Sequence, residues 1–217
     1  AINAKEIYAN PAATQTLLDD SAVDVGAWLA DEVGIEFNEE ESSSFITGNG
    51  VEKPMGIAAY TMVANASYAW GKVGYVTSGH ATLINNADKL IDLQHALKSV
   101  YRNGASFLMN DLTLSVIRKL KDGNGVYIFV PGLTAGAVDT LLGKPIEIDD
   151  NVADIGANTY SVFFGSFKRA YTIIDRQGTR VLRDPFTNKP YVHFYTTKRV
   201  GGGITMFEAI KALKVAV

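Results

Sequence analysis

The sequence predicts an α+β fold in which a long helix and a long antiparallel hairpin flank an inserted mixed α/β domain. Three observations favour this fold: an amphipathic pattern over residues 21–46, strand-like alternation on both sides of residues 184–190, and mixed strand and helix patterns over residues 57–167. With 217 residues, 47% of them hydrophobic and 20% charged, the chain can bury one large core or two modest ones.

The long helix is predicted from its capping residues and its apolar stripe. Ser21 can accept hydrogen bonds from free backbone amides, and Asp24 stands at the capping-box position three residues later. Apolar residues recur at every fourth position, namely Val25, Leu29, Val33 and Phe37. Gly48-Asn49-Gly50 then ends the helix. A helix of roughly 26 residues is about 40 Å long. A small domain cannot cover that length, so we interpret the helix as a strut.

Shorter elements are predicted on either side of this helix. Residues 1–18 indicate an extended segment, because Pro11 disfavours an early helix. In the middle of the chain we expect helices over residues 86–102 and from the capping residue Asn110 onward. We expect strands at residues 107–109, 126–130, 143–148 and 160–164. This order of elements predicts a small mixed α/β domain.

The last fifty residues predict the hairpin. Residues 170–183 and 191–199 alternate in polarity, and the segment between them, DPFTNKP, has the composition of a hairpin tip. Gly201-Gly202-Gly203 is predicted to loosen the chain before a short apolar end at residues 204–217. The hairpin, like the helix, is longer than one small core requires.

Composition excludes several classes of function. The chain has no cysteine, which excludes disulfides, thiolate catalysis and cysteine-ligated metal sites and is typical of a protein made in a reducing cytoplasm. No apolar run reaches the ~20 residues that cross a bilayer, so we expect no membrane partner. A net charge of −3 argues against a dedicated nucleic-acid binder, which carries a basic stripe.

Charge is distributed unevenly along the chain. Residues 1–56 hold eleven acidic residues and two lysines, a net charge of −9, whereas residues 165–217 hold ten basic and three acidic residues, a net charge of +7. This split predicts that the two ends meet, within one subunit or between neighbours; two solvated faces that never touch remain the alternative. The candidate contact residues are Asp31, Glu32, Glu36, Glu39, Glu40, Arg176, Arg180, Arg183 and Lys198.

No motif predicts a catalytic, cofactor-binding or metal-binding residue. The three histidines, His80, His95 and His193, are far apart and form no metal-binding pair. A nucleophile elbow is missing, and Gly48-Asn49-Gly50 follows a helix rather than a strand, which favours a helix-ending turn over a phosphate loop. The cluster at residues 39–41 could bind a divalent cation, but adjacent helix positions splay apart, which favours a solvated or partner-facing acidic patch.

Five ordered segments carry a recognisable pattern. They are LLDDS at 17–21 with AWLADE at 27–32, FITGNGVEKPMGI at 45–57, LLGKPI at 141–146, GSFKRAY at 165–171, and RVLRDPF at 180–186 leading to FYTTKRVGGG at 194–203. Together they resemble the spine helix, helix-ending motif, strand entry and closing hairpin of tailed-bacteriophage major capsid proteins of the Hong Kong 97 type. The resemblance covers nearly the whole chain.

The resemblance implies an architecture and a set of partners. A peripheral domain would comprise the spine helix, at residues 14–56, and the hairpin, at residues 168–217, with an axial domain at residues 57–167. Residues 1–13 would be the returning strand of an extended loop whose other strand, with the N-terminal arm, is missing; such a fragment is expected to fold without building a normal shell. The implied partners are copies of the same chain, as pentamers and hexamers, and enclosed double-stranded DNA held by nonspecific contact. No cofactor, membrane or small-molecule substrate is implied.

The resemblance therefore predicts a structural protein of the virion capsid, from a phage or prophage and synthesised in the bacterial host cytoplasm, rather than an enzyme. A gene-transfer particle and an encapsulin-like nanocompartment would use the same fold with a different cargo. A more remote alternative is a small hydrolase or sugar-binding module that uses the aromatic residues at 60–75.

Overall fold

The computed structural model describes residues 2–121, 124–127 and 140–217 and divides the chain into two units. The first, here the hairpin unit, comprises Ala1–Gly56 and Ile173–Gly203; the second, the sheet unit, comprises Ile57–Thr172 and Ile204–Val217. The helices are α1 (Gln15–Asp20), α2 (Val25–Thr47), α3 (Asp88–Ala96), α4 (Ser99–Arg102), α5 (Asp111–Arg118) and α6 (Phe167–Ala170). The strands are β1 (Lys5–Ala9), β2 (Ala12–Thr14), β3 (Met62–Ala64), β4 (Val73–Thr77), β5 (Ser106–Met109), β6 (Thr140–Leu141), β7 (Lys144–Ile148), β8 (Tyr160–Gly165), β9 (Tyr171–Asp184), β10 (Tyr191–Ile204) and β11 (Ile210–Lys214).

The hairpin unit is built on β10. Strands β1 and β2 lie antiparallel along one edge of β10 in a single register, from Lys5 opposite Val200 to Thr14 opposite Tyr191. Strand β9 pairs with β10 to form the long hairpin. The even-numbered residues of β10 form its inner face, because Val192, Thr196 and Val200 are buried.

Helix α2 covers that inner face. Its buried residues include Val33, Phe37 and Ile46, so the predicted apolar stripe is buried from Val33 onward. A Cβ atom at Gly26 would lie 3.5 Å from the Phe194 ring of β10, which places the N-terminal turn of the helix against the strand. With 23 residues, α2 is about 35 Å long at 1.5 Å per residue.

The start of α2 differs from the prediction. Asp24, rather than Ser21, caps the helix: its side chain accepts a hydrogen bond from the Ala27 amide at 3.0 Å. Ser21 instead ends the short helix α1, where its own amide donates to the Leu17 carbonyl. Residues 15–18, the first part of α1, were expected to be extended. They are helical because Thr14 accepts from the Leu17 amide and so caps a turn that sequence periodicity did not reveal.

The sheet unit contains a seven-stranded mixed sheet in the order β3-β4-β11-β8-β5-β7-β6. Its central strands are buried on both faces; Phe107 of β5 and Phe164 of β8 stack with ring centroids 4.4 Å apart. Helix α5 begins as predicted, because the Asn110 side chain accepts from the Leu112 amide at 2.8 Å. The predicted helix over residues 86–102 is two helices, α3 and α4. Of the predicted strand at 126–130, residues 128–130 lie outside the described residues.

The C-terminal residues require two revisions of the predicted domains. Residues 204–217, expected with the hairpin, contribute β11 to the middle of the seven-stranded sheet, because Ile210–Leu213 are buried and can pair on both edges, with β4 and β8. The triple glycine does not loosen the chain. It forms the buried end of β10, where a Cβ atom at Gly201 would lie 2.8 Å from the Asn3 carbonyl oxygen.

Candidate assembly surfaces

The turn after α2 fastens that helix to β10. The Asn49 carboxamide oxygen accepts hydrogen bonds from the amides of residues 51, 52 and 53, which closes the turn. The Gly56 amide then donates to the Gly48 carbonyl at 2.9 Å, and the Met55 amide donates to the Gly202 carbonyl at 3.2 Å. The motif that sequence analysis interpreted as a helix end is therefore also the attachment between helix and strand.

Two ion pairs lie beside this turn. Lys198 of β10 reaches Glu41 of α2 with a distance of 2.6 Å between Nζ and Oε1, and the two side chains are only 16% and 12% exposed. Lys53 pairs with Glu40 in a more exposed position, where the side chains are 52% and 42% exposed. Around these pairs, Ile7, Pro54, Val200 and neighbouring charged residues line a cavity of about 250 Å³, here the elbow cavity.

The structure places the predicted contact residues as follows. Lys198 and Glu40 form ion pairs within the subunit. Glu40 pairs with Lys53, and Lys198 pairs with Glu41, an acid that the prediction did not include. The remaining acids of α2 are exposed, and within the described residues they make no ion pair: Asp31, Glu32, Glu36 and Glu39. The same holds, over the described residues, for the arginines of β9: Arg176, Arg180 and Arg183. The structure does not bring these two sets together inside the subunit.

Exposed apolar side chains form a second kind of surface, which sequence analysis missed. Trp28 and Ile35 of α2 are 55% and 61% exposed, and Phe186 at the hairpin tip is 80% exposed. Strand β9 exposes four more: Ile173, Ile174, Val181 and Leu182. Exposed apolar side chains that lie side by side mark surfaces that contact another molecule, and the adjacent pairs Ile173–Ile174 and Val181–Leu182 are candidates. The available signal was Phe186 itself, an aromatic residue within an otherwise polar turn.

The hairpin tip has a defined conformation. One oxygen of the Asp184 carboxylate accepts from the Phe186 amide at 2.9 Å and from the Thr187 amide at 3.2 Å, and the Thr187 hydroxyl donates to the other oxygen. The Thr187 hydroxyl and the Phe186 amide together lower the pKa of Asp184 below its ordinary value. The tip therefore presents Phe186 from a hydrogen-bonded turn.

We expect the tip to be ordered at neutral pH and to lose order in acid. Because the folded-state pKa of Asp184 is lowered, its contribution is complete above the ordinary aspartate pKa of about 3.9 and is lost as the pH falls through the folded value. Amide exchange and chemical shifts of Phe186 and Thr187, followed by NMR from pH 7 to acid, measure this transition. An Asp184 carboxyl that titrates at or above its ordinary pKa contradicts the expectation.

Next to the tip, a groove of about 530 Å³ is lined by Asn10, Leu182 and His193, among others. Both ring nitrogens of His193 are buried without a hydrogen-bond partner in the structure as described. The other lining residues, Asp184, Thr187, Asn188 and Tyr195, are polar, so the groove is lined mainly by polar side chains around one leucine.

In the sheet unit, the most unusual charged group is Lys211. It is 5% exposed, and its Nζ atom lies 4.2 Å from the centroid of the Tyr68 ring. Burial lowers its pKa, while the nearby Glu208 carboxylate opposes that shift. Glu208 is itself paired with Lys98 at 2.7 Å. The Tyr68 ring and the Glu208 carboxylate stabilise the buried ammonium group, so the arrangement is a structural one.

Two further observations on the described residues concern metals and membranes. They contain no group of three potential metal-ligating side chains, and none of their helices is both long and apolar enough to cross a membrane.

Comparison with known proteins identifies the family. The sequence model of the phage capsid family matches residues 1–215. The chain belongs to the phage capsid family. No curated protein matches the sequence. Among solved structures, the subunit in the capsid of an empty gene-transfer-agent (GTA) particle is 46% identical, with a TM-score of 0.94, covering 100% of this chain and 74% of that one.

More distant structures share the fold of this capsid subunit. An encapsulin from Synechococcus elongatus PCC 7942 is 14% identical with a TM-score of 0.71, covering 98% of this chain and 74% of that one. The capsid of Myoviridae Phage XM1 is 14% identical with a TM-score of 0.66, and the match covers 99% of this chain and 74% of that one. The predicted Hong Kong 97-type α+β fold is confirmed, as is the predicted role of a structural major capsid subunit rather than an enzyme.

Proposed function

We propose that this capsid subunit assembles through pentamers and hexamers into an icosahedral shell that encloses double-stranded DNA, after synthesis in a bacterial host cytoplasm. The observation that carries the proposal is the whole-chain likeness, at 46% identity, to a subunit solved within a GTA capsid. The exposed apolar and charged groups of the hairpin unit support it, because several weak contacts together can close a symmetric cage.

The test is to express the chain as its gene encodes it and to examine the product by electron microscopy. We expect closed particles that protect double-stranded DNA from nuclease. DNA contact should be nonspecific and weakened by salt, because it would be made by a few basic side chains to phosphate groups. Open sheets, or soluble monomers only, from the complete gene product would contradict the proposal.

A gene-transfer particle is the alternative that a specific observation favours. The GTA capsid subunit is 46% identical to this chain, whereas the phage capsid subunit with the same fold is 14% identical. Sequencing of the protected DNA separates the two: one defined phage genome indicates a virion, and fragments of the producing cell's genome indicate a gene-transfer particle. Particles that hold protein and no DNA would indicate a nanocompartment.

We further propose that the exposed acids of α2 contact basic groups of a neighbouring subunit. Reversing Asp31, Glu32 and Glu36 to Lys should abolish particle formation without unfolding the subunit, since all three side chains are exposed. Circular dichroism and thermal unfolding check the fold, and electron microscopy checks assembly. Adding Arg176→Glu and Arg183→Glu should restore particles in part. Normal particles from the triple Lys variant would exclude this contact.

A further inference from the structure

The hairpin tip and the elbow cavity lie at opposite ends of the same strand. The tip joins β10 at Tyr191, whereas Val200 of β10 forms part of the cavity wall. Nine residues of extended strand separate these two positions, a distance of roughly 30 Å. A subunit therefore cannot place its own tip in its own cavity, and any contact between the two joins different copies.

The two surfaces have complementary shapes and polarity. Phe186 is the most exposed large hydrophobic side chain among the described residues of the hairpin unit, and the Asp184 hydrogen bonds fix the turn that presents it. The elbow cavity, at about 250 Å³, has the size of one large side chain, and Ile7, Pro54 and Val200 supply apolar wall. Burial of an exposed aromatic residue in such a cavity removes apolar surface from water at both partners.

Charge favours the same pairing. Four carboxylates and two lysines line the cavity: Glu6, Glu40, Glu41, Glu52, Lys5 and Lys53. Glu40 is paired with Lys53 and Glu41 with Lys198, so among the described residues the acids of the rim without an ion pair are Glu6 and Glu52. The tip carries Arg183 and Lys189 beside Phe186 and one acid, Asp184, so it has a net charge of +1. A basic tip and an acidic rim attract one another and orient the aromatic side chain between them.

We infer that the hairpin tip of one copy inserts Phe186 into the elbow cavity of the next copy. The contact is heterologous, because each subunit gives a tip on one side and a cavity on the other, and contacts of this type generate rings when the rotation between copies closes. The inference deepens the proposed capsid function by naming one of its subunit contacts. It also assigns to preorganised Asp184 the role of positioning the inserted residue.

The decisive experiment mixes two variants that are each defective on one side. Phe186→Ala removes the inserted side chain, and Glu6→Lys with Glu52→Lys reverses two exposed acids of the rim. Each variant alone should self-associate at least about tenfold more weakly than the parent chain in analytical ultracentrifugation. Their mixture should form a one-to-one complex that does not extend further, because only one tip and one cavity remain intact.

Since the chain has no cysteine, cross-linking adds a positional readout. Phe186→Cys in one copy and Tyr8→Cys at the cavity of another should be joined by a short bis-maleimide, both in the mixed complex and in assembled particles. Phe186→Cys with Leu112→Cys is the matched control, because Leu112 is 63% exposed but lies in the sheet unit. Leu112→Ala is the matched control for Phe186→Ala in ultracentrifugation.

The outcomes separate this inference from the proposed function. Two results would overturn the tip-and-cavity contact without contradicting the capsid function. In the first, particles close but the cysteines at positions 186 and 8 fail to cross-link. In the second, the mixture stays monomeric while the parent chain associates. A third result would support the contact but contradict the proposed shell assembly: the mixture forms a one-to-one complex with the expected cross-link, and the complete gene product never forms particles.

Discussion

Replacing Gly56 with alanine should unfold the hairpin unit or destabilise it by on the order of 3–5 kcal/mol. An added Cβ atom would lie 2.5 Å from the Gly48 nitrogen and 2.5 Å from the carbonyl carbon and oxygen of Ile46. All three are backbone atoms that cannot turn aside as a flexible side chain could. Relief of the clash would separate the turn from the end of α2 and break the hydrogen bond from the Gly56 amide to the Gly48 carbonyl.

Urea unfolding followed by Trp28 fluorescence, in a Trp70→Phe background, measures this effect in the hairpin unit. Gly34→Ala is the matched control: Gly34 also belongs to the α2 region, but nothing lies within 4 Å of its added Cβ atom. That change should stabilise the helix by up to about 1 kcal/mol, because alanine has the higher helix propensity. Equal unfolding midpoints for the two variants would show that the close backbone contact at Gly56 does not limit the stability of the hairpin unit.

The second large effect is expected at the pair between Lys198 and Glu41. Lys198→Met should cost about 2–3 kcal/mol, because it leaves the Glu41 carboxylate largely buried without its cation. The double change Glu41→Leu and Lys198→Met should recover most of this loss, since an apolar pair of similar volume carries no desolvation cost.

Urea unfolding of the single and double variants, combined as a double-mutant cycle, tests this expectation. Lys53→Met is the matched control, because its partner Glu40 is well exposed and the loss should stay below about 1 kcal/mol. If Lys198→Met lowers the free energy of unfolding by no more than Lys53→Met does, the burial of the Lys198–Glu41 pair does not increase its contribution to stability.

Much of this architecture could be predicted from local sequence. Helix α2 could be predicted from the apolar stripe that ends in Val33 and Phe37, and α5 from the Asn110 cap. Both signals depend on neighbours within about one turn of helix. The long hairpin followed from alternation around a polar tip. Residues 204–217 could not be placed in the same way, since a strand that is buried on both faces, as β11 is, shows no regular alternation of polar and apolar residues.

The contact surfaces were only partly predictable, for a related reason. Counting charges identified the acidic helix and the basic hairpin, but it could not show that Lys198 pairs with Glu41 inside the subunit. That pairing depends on which residues of β10 face α2. The exposure of Phe186 depends likewise on the Asp184 turn, and the elbow cavity arises from residues that lie far apart in sequence, such as Ile7, Pro54 and Val200.

The pairing of the first strands with β10 has a consequence for the timing of folding. Residues 5–14 complete their sheet only with residues 191–200, and β4 gains its second neighbour only with residues 210–214. Contacts of such long sequence separation form late, and neither unit is complete while the ribosome is still translating the middle of the chain. A nascent chain therefore lacks a complete surface for contacts with other subunits. Subunits should join growing assemblies only after β11 has been synthesised.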